Sequence, residues 1–213
     1  MGSLTAFHVG LIGFGTVGSG LISTLQDNTR EIERRAGFPI RIKRIADLDV
    51  TTDRGVQVPD GVLSQDVDCL LDDPEIDVVV ELIGGYEPAK TFILRALKAG
   101  KHVVTANKAL LAQHGEEIFA TAAEMGLEVG FEGSVGGTIP VVRAVKEGFS
   151  ANRIESVFGI VNGTANYILT KMTDEGQDFE TVLKEAQAQG LAEADPTFDV
   201  DGIDSAHKIA ILA

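Results

Sequence analysis

The sequence feature that most constrains the fold is an apolar run rich in β-branched residues, IDVVVELI, at positions 76–83. A run of this kind is typical of a strand buried on both faces, and such strands occur in parallel sheets that carry helices on each side. Further strand-like stretches alternate with helical patterns along the first part of the chain, at 7–12, 40–46, 102–105 and 127–131. The alternation predicts an α/β fold with a doubly wound parallel sheet.

The alternation ends near residue 132, and a different pattern follows. A glycine-rich turn leads to a predicted helix from about 139, a predicted strand over 153–161 and predicted helices near 165–173 and 179–189. We therefore expect a first domain over residues 1–132 and the start of an α+β second domain over residues 133–213. The last helical pattern, DSAHKIAILA, has no glycine or proline stop, so we expect the second domain to be truncated at the end of this sequence.

The composition bears on partners and location. The formal net charge is −14, and an acidic surface repels phosphate backbones and anionic lipids, so we expect neither nucleic acid nor a membrane surface as a partner. No apolar stretch approaches the roughly 18 residues of a membrane span, and no secretory leader is recognisable, so we expect a cytoplasmic protein. Cys69 is the single cysteine, and its setting VDCLL predicts an inert, buried thiol in a packed helix.

A glycine turn follows the first strand-like stretch and precedes an amphipathic helical pattern. It fits G-x-G-x-x-G with the residues Gly13, Phe14, Gly15, Thr16, Val17 and Gly18. In this context Gly13 permits the tight turn, Gly15 lets the backbone approach a pyrophosphate, and Gly18 lets helix and strand pack closely. The helix N-terminus offers amides and a positive dipole end to phosphates. The turn predicts a Rossmann-type dinucleotide site, with a merely tight strand–helix turn as the alternative.

Asp47, at the end of the second strand-like stretch, is the natural partner for the adenosine ribose hydroxyls. An acidic side chain there favours NAD over NADP, because it repels a 2′-phosphate. Lys43, Arg44 and Arg54 lie close in sequence and could reverse that preference. The residues therefore leave NAD and NADP both open, and an aspartate that only caps the turn is the alternative.

Three later segments are dense in polar residues and glycine: TANK at 105–108, FEGSVGGTIP at 131–140 and GLAEADPTFDVDGIDSAHK at 190–208. Asp204 and Lys208 are four residues apart on a predicted helix, a spacing that ordinarily gives a solvated ion pair. Other titratable side chains crowd the same short stretch and favour a site instead: Glu193, Asp195, Asp199, Asp201 and His207.

With these segments, VVVELIGG at 78–85 and GIVNGTANYILTKM at 159–172, the whole sequence resembles homoserine dehydrogenase. The resemblance implies NAD- or NADP-dependent interconversion of L-aspartate 4-semialdehyde and L-homoserine, on the route to threonine, isoleucine and methionine. It implies that Lys208 is the general acid, that Glu193 and Asp204 hold the substrate α-ammonium group, that Lys108 lies near nicotinamide and substrate, and that Gly190 approaches the cofactor through its backbone.

The resemblance also implies a structural sodium ion bound by Glu132 and by the carbonyls of Val135, Gly137 and Ile139. Thr138 departs from the family pattern, which often has a third glycine there, and this departure bears on the geometry of the cation loop. A homodimer is the expected assembly, because a second domain with exposed strand edges offers a surface for self-pairing.

Two other functions are alternatives to homoserine dehydrogenase activity. An aldehyde dehydrogenase that acts through a thioester needs an activated cysteine beside a base, and Cys69 has no histidine near it in sequence. A non-catalytic dinucleotide-binding module, or an inactive fragment of a dehydrogenase, would need the glycine turn but not the polar segment at 190–208.

Overall fold

A computed structural model describes residues 6–213, which form two compact units, the first ending at Ser134 and the second spanning 135–213. The elements of the first unit are β1 (Phe7–Ile12), α1 (Thr16–Asp27), α2 (Thr29–Ala36), β2 (Ile40–Ala46), β3 (Leu63–Ser64), α3 (Asp68–Leu71), β4 (Val78–Glu81), α4 (Ala89–Lys98), β5 (His102–Thr105), α5 (Lys108–Met125), β6 (Val129–Gly130) and a 3₁₀ turn, Glu132–Ser134.

The six strands form one parallel sheet in the order β3-β2-β1-β4-β5-β6. The predicted doubly wound α/β sheet is confirmed. All four residues of β4 are buried, as the apolar run predicts for a strand covered on both faces. The strand order reverses between β1 and β4, and ligands of such sheets bind outside the carboxyl ends of the strands at that reversal.

The core of the first unit is built by the inner strands together with the start of α1. Leu11 and Ile45 are at most 1% exposed, and Phe14 and Ile22 pack in the same cluster. Phe14 of the glycine turn therefore anchors the turn through its side chain and offers a ligand only its backbone.

The prediction of a buried Cys69 is wrong. The residue lies on the one-turn helix α3, whose inner face is formed by the buried Leu70 and Leu71, and its thiol points outward. The thiol donates to Asp66 Oδ2 at 2.9 Å, and this bond raises the pKa of Cys69 above its ordinary value. An apolar sequence context did not reveal burial because a four-residue helix buries only one side.

The second unit is helical, with the elements α6 (Val141–Arg143, continued by a π-helical turn, Ala144–Gly148), α7 (Gly163–Glu175), α8 (Phe179–Ala188), α9 (Thr197–Val200) and α10 (Ile203–Leu212). Its small core joins Ile168 of α7 to Val182 and Ala186 of α8. The segment 153–161 is irregular, so the strand predicted there is wrong. Its apolar residues mimic a strand pattern, but a strand needs a neighbour, and no described residue pairs with it.

Across residues 6–213, no helix combines the length and the apolar character that crossing a bilayer requires.

Candidate active site

The glycine turn joins β1 to α1 and has the close contacts that its three glycines predict. Gly13 has φ +102°, and a Cβ there would lie 2.8 Å from the Leu82 carbonyl carbon. A Cβ on Gly18 would lie 2.1 Å from Gly13 O, whereas a Cβ on Gly15 would meet no atom within 4 Å. Gly13 and Gly18 are thus fixed by packing within the protein, and Gly15 borders open space.

Asp47 reaches the glycine turn from the end of β2. Its Oδ2 accepts a hydrogen bond from the Phe14 amide at 2.5 Å, and its Oδ1 accepts one from the Asp49 amide at 2.8 Å. The carboxylate therefore ties the turn to the loop after β2, which is the capping role that the sequence left as an alternative. Contact with a ribose stays a prediction.

A crevice of about 560 Å³ opens at this edge of the sheet. Its lining comes from the glycine turn, the loops after β2, β3 and β4, and α4: Ile12, Gly13, Gly15, Ala46, Asp47, Leu48, Gln65, Val67, Leu82, Ile83, Gly84, Glu87, Pro88 and Phe92. The first turn of α1 carries no acidic residue, so its amides and dipole favour an anion. Gln65 lies at the rim outside any recognisable sequence motif, and its Nε2 donates to Leu48 O at 2.7 Å.

The basic residues near Asp47 are all engaged by carboxylates. Arg54 Nη2 lies 2.9 Å from Asp49 Oδ2, and Lys43 pairs with Asp73 and Glu75. Hydrogen bonds from the Thr52 hydroxyl and amide hold the pKa of Asp49 well below its usual range, so the partner of Arg54 is ionised.

Arg44, the third cation, has its Nε 3.7 Å from Asp73 Oδ2. A 2′-phosphate would therefore have to compete with existing ion pairs for each of these side chains.

The carboxyl ends of β4 and β5 carry a buried polar network. Glu81 is 0% exposed, and its Oε2 accepts from Thr105 Oγ1 at 2.6 Å. Asn107 donates through Nδ2 to Gly85 O at 2.6 Å, and its Oδ1 caps α5 by accepting from the Leu110 amide. Lys108 is the first residue of α5 and therefore follows this network directly.

In the second unit, Lys208 and Asp204 form a close pair on α10. Lys208 Nζ lies 2.7 Å from Asp204 Oδ2 and donates to Val161 O at 2.5 Å. Asn162 Nδ2 donates to the same Asp204 oxygen at 2.9 Å and to Asp199 Oδ1 at 2.7 Å. Since Asp204 is only 7% exposed, this is a largely desolvated pair and not the solvated one that the spacing alone allows.

The other predicted residues of this segment lie on its outer loop. Glu193 is exposed, and its backbone carbonyl accepts from Gln187 Nε2 at 3.1 Å. Gly190 has φ +72° and follows the end of α8, a conformation that favours glycine. Within the described residues, no hydrogen bond joins the Glu193 carboxylate to Lys208.

The loop predicted to bind sodium has the backbone geometry of a glycine turn. Thr138 has φ +71°, the one positive value at a non-glycine position among the described residues. The Ile139 amide donates to Gly136 O at 2.8 Å. Thr138 thus takes the conformation that a glycine would adopt more easily. Cation binding by Glu132 and the three carbonyls stays a prediction.

Comparison with known proteins decides the family. The family model described as "Homoserine dehydrogenase, NAD binding domain" matches residues 13–132, and the model described as "Homoserine dehydrogenase" matches residues 140–213. The chain belongs to the homoserine dehydrogenase family. The homoserine dehydrogenase of Bacillus subtilis (strain 168) is 50% identical over 99% of this chain, and the match covers 48% of that relative.

Solved structures of homoserine dehydrogenases agree with this membership. The enzyme from Thiobacillus denitrificans superposes with a TM-score of 0.86 and 52% identity, covering 97% of this chain and 48% of that one. A hyperthermophilic archaeal homoserine dehydrogenase in complex with NADPH gives a TM-score of 0.74 at 26% identity, over 97% of this chain and 68% of that one. The chain thus spans about half the length of the first curated relatives that it matches.

Glu81 and Asn162 are buried polar residues within the two segments that the family models match, and the sequence alone did not predict a functional role for either of them. Glu81 interrupts an otherwise apolar strand, and a charged residue in such a run is itself a sign of a special environment. Asn162 precedes a helical pattern, which predicts a cap, and it does accept from the Ala165 amide at 2.7 Å. That its amide group also holds two carboxylates from 37 and 42 residues away is a tertiary contact without local sequence pattern.

Proposed function

We propose that this chain is the cofactor-binding and first catalytic part of a homoserine dehydrogenase that interconverts L-aspartate 4-semialdehyde and L-homoserine. The observation that carries the proposal is the largely desolvated Lys208–Asp204 pair, at 2.7 Å, in a segment matched by the catalytic family model. A glycine turn alone supports only dinucleotide binding. The lysine adds a proton donor, which carbonyl reduction requires.

The chemistry assigns a separate task to each polar group. A dinucleotide held at the glycine turn would supply a hydride to the aldehyde carbon, and Lys208 Nζ would give a proton to the carbonyl oxygen, so that an alcohol would form. Asp204 Oδ2 and Val161 O orient the ammonium group of Lys208. In the reverse direction, Lys208 takes the proton from the homoserine hydroxyl.

The α-ammonium group of the substrate needs carboxylates, and the proposal gives this task to Glu193 and Asp204. The exposure of Glu193 supports it, because its carboxylate meets solvent and can exchange water for a ligand. Asp204 already accepts hydrogen bonds from Lys208 and Asn162 through one oxygen. Glu193 is therefore the side chain that pays the smaller desolvation cost on substrate binding. Lys108 and Gly190 keep their proposed places beside the cofactor and the substrate.

Within NAD(P), we propose that NADH is the preferred cofactor. Asp47 borders the crevice with a negative charge, and Arg54 is already paired with Asp49, so a 2′-phosphate finds no unengaged cation among Lys43, Arg44 and Arg54. The archaeal relative was crystallised with NADPH, which makes a direct comparison of the two cofactors necessary. A clear preference for NADPH would contradict this assignment.

Three finer points complete the proposal. A sodium ion held by Glu132 and the carbonyls of Val135, Gly137 and Ile139 suits this all-oxygen donor set, because hard cations prefer such ligands. Exposed apolar side chains in the segment 153–161, with Phe158 90% exposed, support burial against further protein, and a homodimer is the proposed assembly. The small polar substrates fit a cytoplasmic enzyme.

The deciding experiment measures NAD- and NADP-linked oxidation of homoserine by this chain and by the complete protein. Turnover by the complete protein, lost on Lys208→Ala while NADH still binds, is the expected result. The control is Lys184→Ala, which removes a lysine from helix α8 of the same unit and leaves the pair on α10 intact. Dinucleotide binding without turnover in the complete protein would instead identify a non-catalytic module.

A further inference from the structure

Glu81 is a fully buried carboxylate and the last residue of β4, the strand that lies next to β1 where the strand order reverses. It lies opposite Ile12 of β1 and Thr105 of β5, the last residues of both neighbouring strands. Its Oε1 accepts from the amides of Ile83 at 2.9 Å and Gly84 at 3.1 Å, and its Oε2 accepts from the Thr105 hydroxyl. One carboxylate oxygen is thus bonded to the loop after β4, and the other is bonded to the last residue of β5.

The contacts close into a ring. Thr105 Oγ1 donates to Glu81 and accepts from the Asn107 amide at 3.0 Å. Asn107 in turn donates to Gly85 O, the carbonyl that follows the two amides held by Glu81. Glu81 therefore connects the loop 82–85, which lines the crevice, with the loop 105–108, which leads into Lys108.

Stability alone does not explain a carboxylate at this position. Burying a charge is costly, and an apolar side chain of similar size is often at least as stabilising in a strand interior. The carboxylate does offer something an apolar side chain cannot, since it accepts from two successive backbone amides of a loop with no strand or helix to satisfy them. The Glu81 carboxylate therefore holds the loop 82–85 in one conformation and at the same time holds Thr105 at the start of the neighbouring loop.

We propose that Glu81 is a positioning residue, which acts through Thr105 to fix the loops 82–85 and 105–108 relative to each other and so preorganises the crevice for the dinucleotide. This inference rests on the proposed function, because it takes the crevice lined by Gly13 and Ile83 as the dinucleotide site. Preorganisation strengthens binding because the loops lose no further conformational freedom when the ligand arrives.

The test compares four variants of this chain by NADH binding and by amide hydrogen exchange without ligand. Glu81→Gln removes the charge of the group that accepts from Thr105, Thr105→Val removes the donating hydroxyl, Thr105→Ser keeps that hydroxyl, and Glu124→Gln makes the same chemical change as Glu81→Gln on an exposed face of α5. We expect Glu81→Gln and Thr105→Val each to raise the Kd for NADH about ten-fold, the size of one lost charge-assisted hydrogen bond. Thr105→Ser and Glu124→Gln should stay within about two-fold of the wild type.

Two further results separate positioning from simple support of the fold. The double variant Glu81→Gln/Thr105→Val should bind NADH no more weakly than the weaker single variant, because both remove one link. In the exchange experiment, each single variant should speed exchange in both loops, and Thr105→Val should do so in the loop 82–85, to which Thr105 itself makes no direct hydrogen bond. Faster exchange confined to one loop, additive effects on Kd, or a wild-type Kd in variants that are merely less heat-stable would overturn the proposal.

The outcomes distinguish this inference from the proposed function. Wild-type protein that binds neither NADH nor NADPH would contradict the dinucleotide site itself. The exchange data would still decide whether Glu81 couples the two loops. If Glu81→Gln fails to fold, the pair Thr105→Val and Thr105→Ser decides the question alone, because both retain the buried carboxylate.

Discussion

Gly18→Ala is the sharpest test of how the glycine turn works. A Cβ at this position would lie 2.1 Å from Gly13 O, whereas ordinary carbon–oxygen contacts begin at about 3.3 Å, so the helix or the turn must move by about 1 Å. Overpacking of this kind costs about 1–3 kcal/mol. The two nearest atoms, Gly13 O and Gly13 C, belong to the backbone of the turn, so no flexible side chain can yield.

Alanine also stabilises a helix relative to glycine, and Gly20→Ala measures that gain separately. Gly20 is exposed on the same helix, and a Cβ there meets nothing within 4 Å. We expect Gly20→Ala to raise the unfolding free energy by up to about 1 kcal/mol. The difference between the two variants then isolates the clash, at about 1–3 kcal/mol.

The assay is urea denaturation followed by circular dichroism, together with NADH binding. Gly18→Ala should lose both stability and affinity, because the displaced atoms belong to the turn that we propose as the pyrophosphate site. Gly15→Ala should lose affinity with little loss of stability, since its Cβ points into open space beside the crevice. If Gly18→Ala is as stable as Gly20→Ala, or if Gly15→Ala binds NADH as the wild type does, the description of the turn is wrong.

Other perturbations test the remaining assignments. Asp47→Ser should narrow the gap between the Kd values for NADH and NADPH by removing the charge that repels a 2′-phosphate, and an unchanged ratio would place selectivity elsewhere. Exchanging sodium for tetramethylammonium should lower activity or thermal stability of the wild type but not of Glu132→Ala, and equal sensitivity would exclude the cation loop. Cys69 should react with iodoacetamide more slowly at pH 8 than a peptide cysteine, because its raised pKa leaves less thiolate; Asp66→Asn should speed the reaction, and no change would remove Asp66 as the cause.

Elements whose pattern is repeated along many residues could be predicted from sequence. β2 begins and ends at the predicted residues, because its apolar β-branched residues recur along the whole of its length. The two-residue strand β3 carries too little pattern to be recognised, and its pairing with β2 is a property of the sheet. The expectation of a strand over 153–161 failed for the same reason, since pairing depends on a partner and not on alternation.

In the candidate site, too, contacts between residues close in sequence could be predicted, and contacts between distant residues could not. The glycine turn and the Asp204–Lys208 spacing lie within a few residues and could be predicted as contacts. The Glu81–Thr105 link joins residues 24 apart, and Asn162 reaches a carboxylate 42 residues away, so only the folded chain reveals them. A buried polar side chain is expected to have hydrogen-bond partners, but the sequence does not identify those partners.

Asn162 also restricts which substitutions the protein can accept. Asparagine, aspartate and serine are about equally good helix caps, and at most sites they can replace one another. Here the cap must accept from the Ala165 amide while donating two hydrogens to Asp199 and Asp204. Aspartate would add a third negative charge, and a serine hydroxyl has one hydrogen to give. The start of α7 and the placement of Asp204, the counter-ion of Lys208, therefore cannot evolve or be engineered independently at this position.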